Sequence, residues 1–78
     1  MARRDIFGPQ HRAVIANLVE RRRAAGITQV DLARVLGTDQ SRVSKIERGE
    51  RRLDVIDYLR ICRALGVDPA EPLRAIKF

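Results

Sequence analysis

Gln40, Ser41, Ser44, Lys45 and Arg48 fall within one short stretch, and their side chains form hydrogen bonds rather than carry out covalent chemistry. With Val43 taken as core-facing and each residue rotated by about 100°, Ile46 and Glu47 come near the core side. Ser41, Ser44, Lys45 and Arg48 come to the opposite face, and Gln40 projects from the first turn. That outward face has no apolar residue and no long acidic one. Short polar and cationic side chains on a helix match the donors and acceptors of base edges in a major groove, which admits one α-helix. On a lone helix the same face would be ordinary solvated surface, so its neighbours decide the reading.

Other chemistries lack their residues. His11 and Cys62 are the single histidine and cysteine, on different predicted helices, so no metal set with paired spacing exists and no cofactor is expected. His11 reads as a solvent-facing first-turn residue and Cys62 as a small core residue that cannot close an intrachain disulfide. Asp54 and Asp57 form a possible carboxylate pair, but helix capping explains them more simply. No glycine-rich phosphate loop or nucleophile elbow occurs. An enzyme is not expected.

The elements that must position the polar face are short helices. Gly8-Pro9 opens the first, with Pro9 where a missing N–H costs nothing, and Val14, Ile15, Leu18, Val19 and Ala25 recur at helical spacing up to Gly26. Thr28 with Asp31 three residues on is capping-box-like and starts a second helix over about 29–36, burying Leu32, Ala33 and Leu36 before Gly37. Asp39 caps a third over about 40–48, turning Val43 and Ile46 inward. Asp54 caps a fourth with Ile56, Leu59, Ile61 and Leu65 as its apolar positions, and Asp68-Pro69-Ala70-Glu71 opens a fifth. No stretch alternates with period two. The fold expected is all-α, a compact five-helix bundle over 9–78 behind an N-terminal arm, 1–8. The short Gly37-Thr38-Asp39 connection sets the second and third helices at a helix-turn-helix crossing.

The chain has 78 residues, enough for one small domain. Hydrophobic residues at 45% and charged residues at 33% are globular values. Sixteen bases against ten acids give a net charge of +6, and residues 1–53 carry all of that excess. A basic front and a neutral back point to a polyanion-binding surface on the first two-thirds. No apolar run reaches the ~20 residues of a membrane span and no signal-peptide pattern opens the chain, so a cytoplasmic, nucleoid-associated protein is expected.

The run Gly26-Ile27-Thr28-Gln29-Val30-Asp31-Leu32-Ala33, then Leu36-Gly37, then Gln40 through Gly49, resembles the phage repressor/Cro type of helix-turn-helix. This group is also called the xenobiotic-response-element family of bacterial regulators, and Ala64-Leu65-Gly66-Val67-Asp68 matches its usual end of the fourth helix. The resemblance implies a five-helix domain that binds double-stranded DNA through the major groove, commonly as a homodimer on a palindromic operator. Position by position, it implies that Gln29 bonds a backbone phosphate. Gln40, Ser41 and Lys45 read bases, while Arg42, Arg48 and Arg51 contact the phosphate backbone. Arg22 and Glu47 match an ion pair that ties the first helix to the third. Asp39 departs from the commoner Ser or Thr, which leaves open whether it reads a base or only caps.

Two function classes follow. One is a sequence-specific transcriptional regulator, expected to be a repressor; the other is a protein-binding adaptor or antitoxin-type partner protein on the same fold. Gln29, Gln40, Ser41 and Lys45 favour the first, since an adaptor needs none of them. Without a sensing domain in this sequence, regulation is expected through concentration, turnover or a separate protein partner. Leu73, Ile76 and Phe78, at helical spacing, are expected to form a dimer interface; the alternative is that Leu73 and Ile76 close the monomer core. In the arm, Arg3 and Arg4 are candidates for the minor groove or backbone. Ile6 and Phe7 would pack on the bundle or on a second subunit, unless the terminus frays.

Overall fold

The computed structural model describes residues 6–78, and among them the chain forms five helices and no strand. These are α1 (Pro9–Ala24), α2 (Gln29–Leu36), α3 (Gln40–Glu47), α4 (Val55–Leu65) and α5 (Ala70–Arg74). Arg3 and Arg4 lie outside the described residues. No described helix is long and apolar enough to cross a membrane.

Local chemistry starts and stops the helices. The Thr28 hydroxyl accepts from the Asp31 amide at 3.0 Å while the Asp31 carboxylate accepts from the Thr28 amide at 3.3 Å, a complete capping box on α2. Asp39 accepts from the Arg42 amide at 2.9 Å to cap α3, and Asp54 from the Asp57 amide at 2.7 Å to cap α4. Gly37 ends α2 at φ 70°, a left-handed conformation that glycine adopts without steric cost and that turns the chain into α3. Asp68 works one residue earlier than expected: α5 begins after Pro69, yet the Asp68 carboxylate accepts from the Ala70 amide at 2.9 Å.

Eight-residue helices are marginal in isolation, so packing must hold α2 and α3. Leu32, Ala33 and Leu36 of α2 and Val43 and Ile46 of α3 are buried, facing Ile15 and Leu18 of α1 and Tyr58, Ile61 and Cys62 of α4. Burying each large aliphatic side chain contributes about 1.5–3 kcal/mol. Cys62 is fully enclosed, as a small core residue, and burial pushes its thiol pKa up.

The fourth helix lies in a different phase from the one its apolar residues suggest. Ile56 and Leu59, expected inside, are exposed, and the buried stripe is Asp57, Tyr58, Ile61 and Cys62. Tyr58 enters the core because its hydroxyl donates to the Pro69 carbonyl, joining α4 to the start of α5. Burial beside Cys62 pushes the Tyr58 pKa up to about 12, so it remains a donor at any physiological pH. Ala25, expected on the apolar face of α1, is exposed at its C-cap.

Candidate nucleic-acid interface

Gln40, Ser41 and Lys45 are exposed on α3, and Ser44 between them is half-buried. Gly37-Thr38-Asp39 and the Asp39 cap fix where α3 begins, and Val43 and Ile46 fix its rotation by sinking into the core. The polar face therefore points outward because the opposite face is anchored.

Behind that face runs a chain of hydrogen bonds through three helices. Arg22 of α1 grips Glu47 of α3 with two parallel bonds, Nε to Oε2 at 2.7 Å and Nη2 to Oε1 at 3.0 Å. Its Nη1 also donates to the Ile27 carbonyl at 2.8 Å. The two side chains are only 9% and 12% exposed. The Gln29 amide, at the start of α2, donates to Glu47 Oε1 at 2.8 Å and accepts from Gln40 Nε2 at 3.0 Å. Gln29 thus joins the buried ion pair to Gln40 at the exposed start of α3. Beyond the N–H used in this bond, a glutamine amide has an oxygen acceptor and a second N–H, the pair that a bidentate contact to adenine needs.

The arginines separate into two kinds. Arg42, expected at the phosphate backbone, donates through Nη2 to Asp57 at 2.7 Å, and the Asp57 side chain is 8% exposed. An acid on the buried stripe of α4 needs a cation, and Arg42 supplies it across the α3–α4 junction. This pair was not anticipated from the sequence; the signal available was an aspartate in phase with Tyr58 and Ile61. Arg51 is exposed, and Arg48 is exposed and paired with Glu50 at 3.2 Å. Surface pairs of that kind contribute about 0–1 kcal/mol, little resistance to a phosphate. Next to the end of α3, Arg12, Arg23 and Arg48 line an open cleft with Glu20, Gln29 and Glu47.

His11 is not solvent-facing. It is half-buried, and its Nε2 accepts from the Leu53 amide at 3.0 Å. Burial, with the Arg52 and Arg12 guanidinium groups nearby, holds its pKa below the ordinary value of 6.5. Phe7 packs its ring against His11, while Ile6 is exposed. Of the residues expected at a dimer interface, Leu73 and Phe78 are exposed. Ile76 is half-buried and lines a hollow with Pro9, Gln10 and Ala13 of α1. No group of histidine, cysteine, aspartate and glutamate side chains with metal-holding geometry occurs among the described residues.

Residues 18–71 match the family model described as helix-turn-helix. A solved structure of an XRE-family like protein from Pseudomonas syringae pv. tomato is 51% identical, with a TM-score of 0.78 over 83% of this chain and 79% of that one. The restriction-modification controller protein C.AhdI from Aeromonas hydrophila is 34% identical, with a TM-score of 0.72 over 80% of this chain and 94% of its own. The clp gene regulator ClgR from Corynebacterium glutamicum is 27% identical, with a TM-score of 0.79 over 86% of this chain and 71% of its own. No curated protein matches the sequence.

Proposed function

We propose a function from one premise: the chain belongs to the helix-turn-helix family of the Cro/C1, xenobiotic-response-element type, a family of DNA-binding transcription regulators. It acts as a sequence-specific repressor, binding a palindromic operator as a homodimer in the cytoplasm. Gln40, Ser41, Ser44 and Lys45 of α3 meet base edges in the major groove. Gln29, Arg48 and Arg51 meet phosphates, and Arg42 shares itself between a phosphate and Asp57.

The observation that carries this reading is the hydrogen-bond chain from Arg22 and Glu47 through Gln29 to Gln40. A reading side chain discriminates bases only if its own rotamer is held, and a protein-docking face has no use for an outward glutamine tethered to a buried ion pair. The dimer face combines Leu73 and Phe78 with Val55, Ile56 and Leu59 of α4, all exposed apolar side chains.

Selection from a random duplex pool, followed by mobility shift on the enriched site, tests the reading. A palindromic site bound with salt-sensitive affinity is expected. Failure to enrich any sequence would move the protein to the adaptor class.

A further inference from the structure

The segment between α3 and α4 carries Arg48 and Arg51, and the beginning of the molecule clasps it at three points. Where the segment starts, Arg12 Nη1 donates to the Glu47 carbonyl at 3.4 Å. Gly49 passes so close beneath that guanidinium that a Cβ there would stand 3.2 Å from Nη1, at a φ of +75° that already favours glycine. Where the segment ends, the Leu53 amide donates to His11 Nε2 at 3.0 Å. Between them the Arg52 guanidinium lies 4.9 Å from the centre of the Phe7 ring, and that ring meets His11 edge to face at 5.1 Å.

Of these contacts only the one at His11 depends on a proton. A nitrogen that accepts from an amide is unprotonated, and protonating it sets two N–H groups against each other. The Leu53 amide would then lose its partner, and the end of the segment its anchor. The groups facing His11 are Arg12 on its own helix, Arg52 and Asp54 from the segment, and Tyr58 from α4, whereas α5 offers the apolar Leu73. Asp54 is engaged in capping α4 and Tyr58 in bonding Pro69, so neither is aimed at stabilising an imidazolium.

We propose that His11 is a positioning residue for duplex binding: its neutral Nε2 holds the α3–α4 segment in the shape that presents Arg51 and Arg48 to the phosphate backbone, and its protonation releases that segment. The inference rests on the duplex-binding reading above. It makes a prediction of unusual sign. Added protons normally strengthen binding to DNA by adding positive charge, whereas here acidification weakens it.

The test follows three quantities from about pH 7.5 to about pH 5, the range in which histidine titrates: the His11 ring-proton shifts, the exchange protection of the Leu53 amide corrected for its intrinsic rate, and affinity for the selected duplex. In the wild type, Leu53 protection and duplex affinity should both fall about fivefold, the size of one lost hydrogen bond, with the midpoint of the His11 titration. His11→Gln places a non-titrating acceptor near the position of Nε2, so its affinity should stay near the neutral wild-type level throughout. His11→Phe keeps the ring without the acceptor, so it should bind weakly at both ends, with a salt slope lower by about one ion. If His11→Phe does not fold, the wild type against His11→Gln decides.

Leu53 protection that ignores the His11 titration, or wild-type affinity that holds level or rises on acidification, overturns the inference. A wild type that binds no duplex at neutral pH overturns instead the functional reading, and with it the binding half of this inference. An uncoupled Leu53 in a protein that does bind duplex overturns the inference alone.

Discussion

In the proposed function Gln40 meets a base edge only as accurately as Gln29 holds it, and Gln29 is in turn held by a glutamate whose charge is matched by Arg22. Substitutions along this series should therefore fail in different ways. Gln40→Ala should relax preference at one operator position, costing about 1–3 kcal/mol against the best site and little against others; competition shifts with single-base variants read this directly. Arg51→Ala should weaken all duplexes alike and lower the salt slope by about one ion. Arg22→Ala or Glu47→Ala should destabilise the fold itself, by about 3–5 kcal/mol in urea, because each leaves a buried charge without its partner. Replacing both with apolar residues should cost less than either single change, and single variants with wild-type urea midpoints would show the pair to be dispensable. The sequence reveals half of this. Glu47 on the core side of α3 demands a cation, but nothing in a separation of 25 residues picks out Arg22, which only the family resemblance supplied. His11 was less legible still, because its partner is a backbone amide and backbone amides leave no mark in a sequence. Its lowered pKa carries a stability consequence with a definite sign. The unfolded chain takes up a proton near pH 6.5 and the folded one only below that. The contribution is thus complete above 6.5 and is lost as pH falls through the lower folded value. Melting temperature should decline over that acid range in the wild type and hold steadier in His11→Gln.

The starts of α2, α3 and α4 are each set by an interaction spanning three residues, which is why Thr28, Asp39 and Asp54 were found and why they cap as expected. Thr28→Ala should cost about 1 kcal/mol and, by loosening the first turn of α2, should also blur the placement of Gln29; a lower urea midpoint together with weaker duplex affinity checks both. The Asp31 carboxylate of the same capping box is held below the usual range, chiefly by its bonds with Thr28. Its support is present above the ordinary value of 3.8 and is lost as pH falls through the lower folded one. The rotation of α4 could not be read in the same way. Val55, Ile56, Leu59, Ile61 and Leu65 supply apolar residues to more than one face, and periodicity alone leaves the choice among them open. The deciding groups are polar: Tyr58 has the Pro69 carbonyl to bond and Asp57 has Arg42. Buried polar residues with distant partners choose the face, and those partners become visible only once the chain has folded. Tyr58→Phe should therefore cost about 1 kcal/mol and loosen α5 more than α3, which amide exchange along the two helices would distinguish.

The rotation of α4 has its largest consequence for the molecule as a whole. By burying Tyr58 and Ile61, it turns Val55, Ile56 and Leu59 outward at 71%, 58% and 44% exposure, beside Leu73 at 44%. Val55, Leu59 and Leu73 line a single groove, so these three form a connected surface rather than scattered points. Scattered apolar residues are ordinary on a monomer, whereas a connected patch implies a covering partner. In the proposed function a second copy is the partner that operator binding calls for. One recognition helix spans too few base pairs to mark a genomic site, and a twofold pair with recognition helices about 34–36 Å apart reads two half-sites one duplex turn apart. Expectations from the sequence placed this interface on Leu73, Ile76 and Phe78; the proposed interface adds the face of α4, whereas Ile76 is half-buried in a hollow against α1. The enlarged surface also allows a cleaner experiment. Leu73→Glu would not separate a broken interface from a damaged core, but Ile56 and Phe78 are 58% and 94% exposed, so Ile56→Glu with Phe78→Glu should leave the monomer folded. Sedimentation should find the wild type dimeric and the double variant monomeric with an unchanged helical spectrum, and operator affinity should collapse while half-site affinity persists. A double variant that remains dimeric moves the interface off this face. A wild type that stays monomeric at high concentration, and pairs only on the operator, means that the duplex rather than this surface assembles the two copies.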